Sequence, residues 1–241
     1  MIAALPMYDR PELRAETDAL WAGIRDALRA RAIQAPDTLT RDRNPWEIWQ
    51  SPDLILAQTC GLPFRARLHP QVTLVATPDY ALPGCPPGHY NSVILARDPA
   101  LPDRPRVAVN DPLSQSGWAA LHAWATARAL ILGPVTITGS HAASARALAQ
   151  GHADLAAIDA QTWRHLVRFD GADPALEIAR TPPTPGLPLI TARGRDPAPL
   201  RAALAEALAA LPTATRAALD LAGFVTIDAV AYRAIPIPPN P

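Results

Sequence analysis

Lysine is missing altogether: the 22 basic residues of this 241-residue chain are all arginine. Its absence excludes Schiff-base chemistry and a phosphate-loop lysine. An excess of charge of either sign is missing too. The 22 acidic residues balance the 22 basic ones, so no field gathers nucleic acid or cations. Cysteine is nearly absent, and Cys60 and Cys85 cannot make a zinc site by themselves. They either join in one disulfide, which implies an oxidising compartment, or remain thiols. Apolar runs stay short of the roughly 18–20 residues of a membrane span. No secretory leader is legible, because Met1 runs straight into Ile2-Ala3-Ala4-Leu5-Pro6 without a basic region or a long apolar segment. That reads as a cytosolic protein or as a chain given without its leader.

What is present is a hydrophobic content of 49% against 18% charge, compatible with a buried core. The length suits one large domain or two lobes of about 100–120 residues. One stretch organises the rest, Val107–Leu121, reading VAVNDPLSQSGWAAL. A short apolar strand breaks at Asn110-Asp111-Pro112, and Ser114-Gln115-Ser116-Gly117 then leads into an apolar helix near Trp118. Strand, polar loop and helix start in that order make an anion site. The first N–H groups of a helix lack backbone partners and the dipole is positive there. Small hydroxyls add donors, and Gly117 lets the backbone approach a ligand. The plainer reading of the same residues is a helix N-cap.

Before this stretch, Ile2–Met7 reads as a strand, with Pro11 opening a helix over about Glu12–Ala32. Leu13, Leu20, Ile24 and Leu28 share one face of that helix. Strands are expected at Ala35–Leu39, Leu54–Gln58 and Leu68–Thr77, with a polar loop before Trp46. Strand–helix alternation over the first eighty residues argues for a parallel sheet. Ligands of such sheets gather at the carboxyl ends of the strands, where Tyr8, Trp46 and Thr59 fall.

After it, Val135–Thr138 is a strand closing at Gly139-Ser140-His141 before a small-residue helix, and Asp154–Ile158 is a strand ending in Asp159. A helix from about Gln161 to Phe169 and a strand at Leu176–Arg180 follow. Two stretches rich in proline and glycine, near 78–90 and 181–188, bracket the middle of the chain. The pattern gives an α/β fold of two lobes, with residues 1–85 and 188–241 forming one and residues 90–183 inserted as the other. A ligand would sit in the cleft between them. The tail from Ala234 to Pro241 reads as an extended surface segment.

These residues resemble the substrate-binding proteins of phosphate/phosphite/phosphonate ABC transporters, which have the type II periplasmic-binding fold. The motifs carrying the resemblance are ALPMYD, GHYNSVILAR, NDPLSQSGW, TGSHAASARALAQGHADLAAID and TPPTPGLPLITAR, in that order along nearly the whole chain. The resemblance implies that Ser114, Gln115 and Ser116 hold phosphoryl or phosphonyl oxygens, with His141 as a further donor. It implies that Tyr8, Trp46 and Tyr90 line the cleft, and that Asp159 accepts from a protonated oxygen or an amine. It also implies a periplasmic location, an ABC permease as partner, a small anionic ligand and no cofactor, in a monomer. One departure bears on the ligand. The acidic residue with which aminophosphonate binders grip an amine is missing from Thr184-Pro185-Gly186-Leu187-Pro188, which favours a smaller or more apolar ligand.

Two further functions stay open on the same fold. One is a cytosolic enzyme, a lyase or a cofactor-biosynthesis enzyme, for which His141 and Asp159 are the only acid/base candidates. The other is a ligand sensor.

Overall fold

Leu54–Gln58 is the most apolar short run of the first eighty residues, and all five of its residues are buried in a strand. A strand buried on both faces must be covered by helices on each side, and this one is. Residues 1–241 are all described by the computed structural model. It divides into two compact units, residues 1–83 with 185–234, and residues 84–184 with 235–241.

In the first unit a five-stranded sheet runs in the order Ile2–Ala4, Leu54–Gln58, Leu189–Ala192, Val72–Asp79, Gly223–Val225. The first two strands pair in parallel. Leu189–Ala192 is antiparallel to both its neighbours, and Gly223–Val225 is antiparallel to Val72–Asp79. The sheet is therefore mixed, not parallel as the strand–helix alternation implied. The returning segment after residue 185 supplies the central antiparallel strand, which local periodicity could not reveal.

One face of this sheet is covered by the helix Arg14–Ala30, which buries Leu20, Trp21, Ile24, Ala27 and Leu28. The helix Ala198–Ala210 packs in the same cluster through Leu200, Ala203, Leu204 and Ala207. The two helices approach closely at Gly23, where a Cβ would lie 3.3 Å from that of Ala207.

Ala35–Leu39 is not a strand. Pro36 has no N–H to give a ladder, and the carbonyls are taken by side chains. Trp21 Nε1 donates to Pro36 O at 3.2 Å and Arg29 donates to Ala35 O at 2.6 Å. Ala35 and Leu39 are buried all the same, which explains the apolar signal.

The second unit has its own five-stranded sheet, ordered Val135–Ile137, Val107–Val109, Leu155–Asp159, Ser92–Ala96, Glu177–Arg180. The first three are parallel to one another, and Ser92–Ala96 is antiparallel to both of its neighbours. The C-terminal tail, read from the sequence as part of the first lobe, packs on this unit. Trp118 Nε1 donates to Pro239 O at 2.7 Å. No disulfide joins Cys60 and Cys85, which belong to different units and both carry thiols. No helix is long and apolar enough to cross a membrane.

Candidate functional site

Strand direction in the second sheet decides what can meet. The carboxyl ends of Val107–Val109, Val135–Ile137, Leu155–Asp159 and Glu177–Arg180 lie at one edge with the amino end of Ser92–Ala96. That edge gathers Asn110, the Ser114–Gly117 turn, Ser140–His141, Asp159, Thr181 and Tyr90–Asn91. Three helices begin there, and each is capped by the side chain before it. Ser114 Oγ accepts from Gly117 N–H, Ser140 Oγ from Ala143 N–H, and the Asp159 carboxylate from Thr162 N–H. Capping and anion binding are thus compatible here. An N-cap oxygen satisfies one of the four orphan N–H groups and leaves others.

The helix after Ser114 opens with a widened turn over Gln115–Ala119. Ser114 O accepts from both Trp118 N–H, at 3.1 Å, and Ala119 N–H, at 3.0 Å. Widened turns of this kind are frequent at functional sites. Ser114, Gln115 and Ser116 are buried, at 5%, 3% and 4% exposure. Gly117 is required by a close approach, because a Cβ there would overlap Asn110 Oδ1 and stand 3.0 Å from Ser114 Oγ. The neighbouring loop is locked to this one by the main chain. Thr138 N–H donates to Val109 O and Gly139 N–H to Asn110 O, with Gly139 in the left-handed region at φ 83°.

The two loops meet at one contact. Ser116 Oγ and His141 Nε2 are 2.9 Å apart, a hydrogen bond whose donor depends on the imidazole tautomer. Burial pushes the His141 pKa down to about 4, opposed in part by the Ala157 main chain. The imidazole is therefore neutral at pH 7. Donors on these loops are neutral hydroxyl, imidazole and amide groups, helped by the helix starts; Arg180, the cation at a strand end of this edge, is paired with Glu177.

Asn91 and Asn110 were not singled out from the sequence. Asn91 follows Tyr90 at the sheet edge, and Asn110 packs against Gly117; Oδ1 of each is buried without a hydrogen-bond donor. Asn-Asp-Pro reads as turn punctuation, which is why Asn110 passes as structural. Tyr90 is buried at 3% exposure. Asp159 is 2% exposed and serves as a helix cap, the plainer of its two readings.

In the first unit, Leu54–Gln58 and Val72–Asp79 both run opposite to Leu189–Ala192, so their carboxyl ends share an edge with that of Ile2–Ala4. Tyr8 and Thr59 follow two of these ends, and Tyr80 follows the third. Tyr8 and Tyr80 meet edge to face, with centroids 4.9 Å apart at 84°, and Gln58 Nε2 donates to the Tyr80 hydroxyl at 3.4 Å. Thr59 is fully buried and its Oγ1 has no hydrogen-bond partner. Tyr80 escaped the sequence reading because its strand was ended too early, at Thr77.

Trp46 is not brought to this edge. It packs edge-on against Trp49 at 5.2 Å, with the Arg67 guanidinium 5.4 Å from its ring centre. Its cluster, with Ile2, Ala4 and Tyr232, covers the sheet face opposite to the one carrying Tyr80. Trp46 sits in the short helix Pro45–Trp49, and the strand meant to aim it does not exist.

Comparison with known proteins agrees with this architecture. No curated protein sequence matches the chain. Among solved structures, XAC2383 from Xanthomonas citri bound to chloride ion superposes with a TM-score of 0.71 at 14% identity, covering 98% of this chain and 94% of that one. PhnD1 from Prochlorococcus marinus, in complex with methylphosphonate, gives 0.69 at 14% identity, with 97% and 95% covered. A binding protein component of an ABC phosphonate transporter from Pseudomonas aeruginosa gives 0.67 at 16% identity, with 96% and 82% covered. At such identities these likenesses establish the α/β periplasmic-binding fold. The family itself rests on sequence: residues 91–232, more than half of the chain, match the model for the phosphonate periplasmic substrate-binding protein of ABC transporters. The chain belongs to that family of substrate-binding transporter components.

Proposed function

We propose that this chain binds a small phosphorus oxyanion, a phosphonate, phosphite or phosphate, without chemical turnover and hands it to an ABC permease. The observation that carries the reading is the 2.9 Å contact between Ser116 and His141. It brings two helix starts and their neutral donors together at one sheet edge, the arrangement that holds a tetrahedral oxyanion. Ser114, Gln115, Ser116 and His141 are assigned to the phosphoryl or phosphonyl oxygens. Tyr90 and Asp159 at the same edge, and Tyr8 and Thr59 at the edge of the first unit, are assigned as further ligand contacts.

The buried acceptor oxygens of Asn91 and Asn110 suit a ligand that also brings a proton, as a monoprotonated phosphonate does. No acidic side chain stands in Thr184–Pro188 to hold an amine, which favours methylphosphonate, phosphite or phosphate over an aminoalkylphosphonate. The methylphosphonate held by PhnD1 makes that the first compound to test. Family membership supports a periplasmic site of action and a permease partner.

The test is thermal unfolding against methylphosphonate, phosphite, phosphate, aminoethylphosphonate and sulfate, followed by calorimetric titration of whatever stabilises. A ligand at about 100 times its Kd stabilises by about 2.7 kcal/mol, several degrees at this size. Replacing both Ser114 and Ser116 by Ala is expected to weaken binding by about a hundred-fold or more, since charge-assisted hydrogen bonds contribute about 1.5–3 kcal/mol each. Unchanged affinity in that double variant rules the assignment out.

A further inference from the structure

The C-terminal tail, Ile235–Pro241, has a proline at four of its seven positions, so it has few N–H groups to pair and offers mainly carbonyls. The carbonyl of Pro239 is engaged. Pro239 O accepts from Trp118 Nε1 at 2.7 Å, across 121 positions of sequence. Trp118 is not an incidental partner. It stands two residues after Ser116 inside the widened turn, it is 4% exposed, and its ring belongs to the core cluster of the second unit. Between the tail and the helix lies a cavity of about 680 Å³, lined among others by Ala120, Trp124, Arg128, Thr181, Ile235 and Pro239.

A widened turn departs from the regular helical ladder, and here its indole is tied from outside by a segment distant in sequence. We propose that the tail is an intramolecular proline-rich ligand of the second unit, and that its bond to Trp118 positions the Ser114–Gly117 turn for the oxyanion. Trp118 and the Pro239 carbonyl are positioning groups: neither touches the ligand, and both act through the turn. The effect on affinity rests on the oxyanion reading above. The effect on the turn does not.

The experiment compares four proteins: the intact chain, Trp118→Phe, a chain ending at Ala234, and the combination. Phe keeps an aromatic ring in the core and removes the N–H together with part of the indole volume, so the peptide rescue below separates the bond from the packing. Two quantities are read, the Kd for methylphosphonate and, without ligand, amide exchange at Gly117, Trp118 and Ala119, whose N–H groups all bond to Ser114. Each single change is expected to raise Kd about three- to ten-fold, the loss of one hydrogen bond, and to speed exchange at those amides. The combination is expected to do no more than either alone, because both remove the same bond. A synthetic Ile235–Pro241 peptide should restore slow exchange to the shortened chain and not to the combined variant.

Additive effects, or unchanged exchange in both single variants, overturn the proposal. Should the shortened chain not fold, Trp118→Phe in the full chain decides by the same exchange readout. Should the intact chain bind no phosphorus oxyanion, the functional reading fails while the exchange data still decide the role of the tail.

Discussion

His141 joins the two loops proposed to hold the oxyanion, and its ionisation is the most readable consequence of their packing. Burial holds its pKa at about 4 against an ordinary 6.5, so folding disfavours the cation. Between pH 6.5 and 4 the unfolded chain takes up this proton and the folded chain does not. Stability therefore falls as pH drops through that window and levels below it. In His141→Gln that component vanishes. Thermal unfolding of the two proteins from pH 7.5 to 4 should give curves that converge toward acid, with the intact chain losing more. Parallel curves would mean that His141 does not stay neutral in the folded chain. The same neutrality keeps its role toward a ligand constant between pH 5.5 and 8.

At the scale of elements, the proposed site is three helix starts on one sheet edge, each capped by the side chain before it. Ser140 is the cleanest to test. Its hydroxyl accepts from Ala143 N–H at 3.1 Å, and the helix it caps, His141–Ala149, is only nine residues long. Ser140→Ala is expected to cost about 1 kcal/mol, a fall in Tm of a few degrees. Because His141 is the first residue of that helix, oxyanion affinity should fall with it, by about three- to ten-fold in titration. A lower Tm at unchanged affinity would show that the loop is held by its main-chain bonds to Val109 and Asn110 alone.

For the whole molecule, electrostatics makes a different kind of prediction. Net charge is zero, and the donors assigned to the oxyanion are uncharged. Binding should therefore depend little on salt. Raising it from about 20 to about 200 mM, which shortens the screening length from roughly 20 Å to under 10 Å, should change Kd by less than about three-fold. A steep salt dependence would point to arginines as the anion's partners instead, and so to a different site.

Local sequence determined the elements and the chemistry of the loops. LILAQ reads as a buried strand and is one here, and the serine before Gln115-Ser116-Gly117 caps a helix start as read, because burial and capping act within a few residues. Pairing order acts over the whole chain and was decided only by the tertiary structure. Residues 189–192 return between two strands that run the other way, making the sheet mixed. Pro36 and its claimed carbonyls turn an apolar run into a buried loop, and Trp46 lies in the short helix that follows, against Trp49. The contact of Ser116 with His141 spans 25 positions and that of Trp118 with Pro239 spans 121. Neither leaves a local signature. The residue types were written in the sequence, and which of them face one another was settled by strand direction, since it alone sets the edge at which each loop emerges.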